Sequence, residues 1–88
     1  MKGETKVWLE YADENLKSAN LLLDSGLFNT CLQNVQQAVE KMLKAIFIET
    51  EIKFQRTHSI SELASILARE GINTKIAEDE ADLLDSII

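Results

Sequence analysis

The stretch Asn34–Lys44, NVQQAVEKMLK, decides the fold. At roughly 100° per residue, Val35, Val39 and Met42 share one face with Phe28, Cys31, Leu32, Leu43 and Ile46. Gln33, Gln37, Glu40, Lys41 and Lys44 share the opposite one. An apolar stripe set against a polar one is the signature of an amphipathic helix, and the pattern runs from about Phe28 to Glu51. Val35, Val39 and Met42 are expected at the centre of the core. Phe47 and Ile48 break the stripe by falling toward the polar side. The end of this helix should therefore be covered by another element, or meet a partner chain.

Upstream, Trp8, Ala12, Leu16, Ala19 and Leu23 recur at spacings of three and four, with Leu9, Leu21 and Leu22 widening the face. This predicts a first helix from about Thr5 to Asp24. Trp8 and Tyr11 read as packing anchors at the end of a core. Asp24-Ser25-Gly26 is a stop, with Gly26 suited to the left-handed position after a helix. The short connection at Gly26-Leu27 turns the first two helices into an antiparallel hairpin.

Downstream, Lys53–His58 is a connection, with Phe54 expected to fold back onto the core. Ser59-Ile60-Ser61-Glu62 fits a capping box, opening a third helix that buries Ile60, Leu63, Ala64 and Leu67 and ends at Gly71. A fourth helix is expected from Thr74 or Lys75, with Glu78, Asp79 and Glu80 at the positive end of its dipole. Ile76, Ala77, Ala81, Leu84, Ile87 and Ile88 form its apolar side, and the sequence should stop in or at the end of that helix. Proline is absent and no β-type alternation of useful length occurs. The reading is a single all-α domain over residues 1–88, an antiparallel four-helix up-and-down bundle.

Charge narrows the function. Fifteen acidic residues against nine basic ones give a net charge of −6. Phosphate neutralisation drives nucleic-acid binding and calls for a clustered basic excess. No basic run exists here, so nucleic acid and anionic membrane are unfavoured partners. Cys31 is the only cysteine and sits on the apolar face, where it acts as a small hydrophobe. With one Cys and one His there is no zinc-ligand spacing, and no metal or cofactor is expected. No signal peptide or membrane-spanning run is evident, which makes a cytoplasmic location the expectation. A small core also makes dimerisation a ready source of further burial.

Two places carry chemistry. Gln37, Glu40, Lys41 and Lys44 put amide, carboxylate and ammonium groups on one strip, able to hydrogen-bond a nucleotide or a polar partner. The plainer reading is a solvated face with Glu40–Lys44 and Gln37–Lys41 as ordinary i,i+4 pairs, and pattern alone favours it. In Arg56-Thr57-His58-Ser59, a histidine beside an arginine suits acid–base work with a phosphate clamp. The plainer reading places His58 just before the third helix, bonded to local backbone or capping a neighbouring helix. The acidic run from Glu78 to Asp85 reads as a solvated face. No glycine-rich phosphate loop or nucleophile elbow occurs, and no catalytic residue is assigned.

The order of these segments resembles the HEPN family. The resembling blocks are WLEYADENLKSANLLLDSGLFNTCL, QNVQQAVEKMLKAIFI, and the TH and SI-ELASIL residues beyond a short loop. Gln36, Gln37, Ala38, Glu40, Lys41, Leu43, Lys44, Ala45, Thr57 and His58 match the family pattern in order, over about Trp8 to Leu67. The resemblance implies a helical bundle that dimerises. It also implies nucleotide binding, or pairing with a small nucleotidyltransferase in a toxin–antitoxin setting. Some relatives are ribonucleases with an Arg followed four to six residues later by a His. Here one residue separates Arg56 from His58, and no histidine follows Arg69. Many relatives carry a further helical segment, and this chain is expected to lack it after Ile88. The expectation is a non-catalytic HEPN-like binding module with Gln37, Glu40, Lys41, Lys44, Arg56 and His58 as candidate site residues. The alternatives are a ribonuclease toxin and a small dimeric interaction protein without a ligand.

Overall fold

The computed structural model describes residues 1–53 and 56–87. Four helices follow in order: α1 (Gly3–Asp24), α2 (Phe28–Thr50), α3 (Ile60–Arg69) and α4 (Glu78–Asp85). No strand occurs among the described residues, as the all-α reading requires. The expected position of Phe54 falls outside them, as does Ile88.

The α1–α2 hairpin is the frame. Its turn closes with Gly26 at φ 73°, where Gly26 N–H donates to the Leu23 carbonyl and Leu27 N–H to the Leu22 carbonyl. Those two bonds satisfy carbonyls left free at the helix end. The same pair closes α3 at Gly71, φ 84°. It also closes α2, with Glu51 at φ 59° in the place a glycine would favour.

Along the hairpin seam the buried residues are small: Ala12 and Ala19 from α1, Cys31, Ala38 and Ala45 from α2. Small side chains let the two backbones run close together. The large core lies round the other side of α2, where Leu43 and Phe47 pack with Ile60, Leu63 and Leu67 of α3 and Ala81 of α4. The sequence stripe therefore fell between two real contact faces. Val35, Val39 and Met42 are half-buried rather than central. Phe47, off the stripe, is 1% exposed at the heart of the core. Of the two ways to cover it, the protein uses its own third and fourth helices. The aromatics of α1 also differ from expectation, since Trp8 is half-buried and Tyr11 lies open at 52%.

The fourth helix starts later than the apolar pattern predicts. Asn73 accepts the Lys75 N–H on its side-chain oxygen at 2.8 Å, and Lys75 adopts φ 61°. An Asx turn of this kind competes with helix, so α4 waits until Glu78. Glu80 then reaches back to the Ala77 N–H at 2.9 Å. The opening of α3 is half a capping box. Ser59 Oγ accepts from Glu62 N–H, but the Glu62 carboxylate takes the Thr57 hydroxyl instead.

Asp85, read as part of a solvated acidic face, is a cap. Its carboxylate accepts from the Ile60 N–H at 2.7 Å, the Ser61 N–H at 3.0 Å and the Ser59 hydroxyl at 3.0 Å. The end of α4 thus closes the start of α3. Burial raises its carboxyl, and the hydrogen bonds from Ser61, Ile60 and Ser59 outweigh that, holding it below the ordinary aspartate value. Among the described residues no helix is long and apolar enough to cross a membrane.

Candidate functional site

Glu40 is the sharpest departure from a solvated strip, because its side chain is only 5% exposed. A buried carboxylate needs compensating partners. Among the described residues it has two: Lys44 Nζ at 3.5 Å, one turn on along α2, and His58 Nδ1 at 3.2 and 3.3 Å from its two oxygens. The expected Glu40–Lys44 pair is present, but buried. Among the described residues, the His58 ring is neither bonded to local backbone nor capping a helix. It lies against Glu40 with 86% of its side chain open. Thr57 does bond locally, accepting the Ser59 N–H at 3.1 Å. That bond and the Ser59 cap fix the end of the connection that presents the imidazole.

Lys41 points the other way, across the hairpin seam. Its Nζ donates to Asn15 Oδ1 at 2.6 Å, and Asn15 Nδ2 donates to Asn34 Oδ1 at 3.0 Å. The expected Gln37–Lys41 pair gives way to this link. Gln37 instead donates to Gln36 at 3.1 Å.

Two aromatic rings complete the strip. Lys41 Nζ lies 6.0 Å from the Tyr11 ring centre, and Lys44 Nζ 5.9 Å from that of Trp8. Both distances are at the limit of useful cation–π attraction. A shallow groove of about 180 Å³ opens here, lined by Tyr11, Glu14, Asn15, Ser18 and Lys41. The structure thus joins Glu40, Lys44 and His58 in one cluster and sets Lys41 in an adjoining groove. Gln37 stands apart, in a second hollow with Gln33, Asn34, Gln36 and Ile87. Arg56 is exposed, and no hydrogen bond ties it to the cluster among the described residues. Tyr11, Asn15 and Ser18 were missed by sequence reasoning. Their spacing of four and three behind Trp8 marks one edge of α1, and that was the available signal.

Chemically the strip offers ammonium groups, an imidazole and an open aromatic face. Among the described residues, no group of three His, Cys, Asp or Glu side chains could hold a metal ion. A larger groove of about 620 Å³ between α3 and α4 is lined by Glu78 and Asp82 and, among the described residues, by no cation, which suits an anion poorly. No curated protein and no solved structure matches the chain. The model of the HEPN domain matches residues 5–88. With that match leaving out only the first four residues, the chain belongs to the HEPN domain family.

Proposed function

We propose that this HEPN domain is a non-catalytic binding module that takes a nucleotide along the α1–α2 edge. The observation that supports it best is Lys41. Its ammonium is steered by a neutral amide, Asn15, with no carboxylate in ion-pairing reach among the described residues. A cation aimed but not neutralised suits a phosphate. The open Tyr11 ring beside it offers a surface for a base to stack on, and Glu14 on the rim offers an acceptor for an amine or ribose hydroxyl. Lys44 and His58 extend the strip beyond Lys41, and Arg56 adds an exposed cation on the same connection as His58.

In this reading the domain works as a homodimer beside a nucleotidyltransferase partner, in a toxin–antitoxin setting. Calorimetry with ATP is the test. We expect saturable binding that Lys41→Ala weakens by about tenfold, the loss of one charge-assisted contact. Absence of heat at millimolar ATP would remove the nucleotide and leave only protein–protein binding.

A second reading, a ribonuclease toxin, draws on one feature: the open imidazole oriented by Glu40, an arrangement fit for a general base. The Arg56–His58 spacing argues against it. We expect the purified protein to leave single-stranded RNA intact, and cleavage abolished by His58→Ala would reverse the order of the two readings.

A further inference from the structure

The hollow that holds Gln37 is built unlike the rest of the polar edge. It measures about 430 Å³ and is lined by Gln33, Asn34, Gln36, Gln37 and Ile87. Among the described residues no charged side chain lines it. Gln37 Nε2 donates to Gln36 Oε1 at 3.1 Å, and the bonded pair keeps one carbonyl oxygen and one amino group to offer. An acceptor beside a donor matches the edge of a nucleobase; on adenine, side-chain amides meet the ring nitrogen and the amino group together. Ile87 supplies an apolar wall for the ring. A neutral lining of this kind gives a phosphate no charge to pair with.

The hollow is joined to the groove of Tyr11 and Lys41. Asn15 lines the groove and Asn34 the hollow, and Asn15 Nδ2 donates to Asn34 Oδ1 at 3.0 Å. The same Asn15 holds Lys41 Nζ at 2.6 Å through its side-chain oxygen. Gln37 and Lys41 stand one turn apart on α2, about 6 Å along the axis. A ligand lying across the Asn15–Asn34 bond therefore meets an open aromatic ring and an ammonium on one side and neutral amides on the other. A base, a phosphate bridge and a second base are the parts of a dinucleotide. A longer strand adds phosphates that a net charge of −6 repels, which limits the ligand to two nucleosides.

We propose that the polar edge takes a dinucleotide, with one base on Tyr11, the phosphate bridge at Lys41 and the second base in the amide hollow of Gln36 and Gln37. This rests on the nucleotide reading above and adds the second base site. Calorimetry of the whole chain with diadenosine diphosphate and with ADP tests it, because both probes carry a diphosphate and they differ by one adenosine. The expected result is about tenfold tighter binding of diadenosine diphosphate, the value of one amide–adenine pair. Gln36→Leu should bring that affinity down to the level of ADP, with ADP binding and helicity by circular dichroism unchanged. ADP binding with no gain for diadenosine diphosphate would overturn the second base site and leave the nucleotide reading standing. A gain that survives Gln36→Leu would overturn the assignment to the amide hollow. Absence of heat with both compounds at millimolar concentration would overturn the nucleotide reading and this site with it.

Discussion

Glu40 carries a charge in a place where 95% of its side chain is withdrawn from water, and it is held there by Lys44 and His58. Removing one partner of such a group leaves the other charge buried and unmatched. Lys44→Met should therefore destabilise the fold by about 3 kcal/mol, read as a lowered urea midpoint. His58→Ala should cost less, because its ring is open to solvent. Equal losses from the two would show that Lys44 is not the main partner.

Asp85 gives a pH dependence of known sign. Its folded value lies below the ordinary aspartate value of about 3.9, so its contribution is full above that value. It is lost as pH falls through the lowered folded value. Asp85→Ala should cost about 2 kcal/mol near neutrality, a cap carrying charge-assisted bonds. The gap between parent and variant should close in strong acid. A gap that widened on acidification would contradict the cap.

Each helix end obeys its own local rule. Glu51 occupies a left-handed site at φ 59°, which costs a side-chain-bearing residue about 1 kcal/mol. Its ion pair with Lys2 at 3.2 Å is exposed and weak. Glu51→Gly should raise stability by about 0.5 kcal/mol, whereas Gly26→Ala, at φ 73°, should lower it by about 1 kcal/mol. Thermal denaturation reads both signs, and a destabilised Glu51→Gly would mean that the Lys2 pair outweighs the strain.

Helix existence and order were legible in the sequence because apolar spacing and the two glycine stops are local signals. The start of α4 was not, since the Asn73 side chain turned the chain before its apolar pattern could take hold. The core of α2 was displaced for a related reason. Periodicity averages over all large apolar residues, but alanines made one seam and Phe47 the other. Of the candidate site residues, Glu40, Lys44 and His58 come together and Gln37 does not. Register along α2 gives an angle, and only the packing of α1 and of the loop before α3 shows which neighbour fills it. Asn15 and Tyr11 sit on a different helix, beyond the reach of that register.

The molecule as a whole presents two unlike faces on one hairpin. One edge sets Tyr11, Asn15 and Lys41 around a groove, with Lys44 and His58 clustered on Glu40 beside it. The other leaves Leu16, Leu23, Phe28 and Leu32 to solvent. The binding claim itself is tested most directly by amide and side-chain shift mapping during an ATP titration. Shifts that saturate together are expected at Tyr11, Asn15, Lys41, Lys44 and His58. No shifts at millimolar ATP, or shifts confined to the groove between α3 and α4, would contradict it.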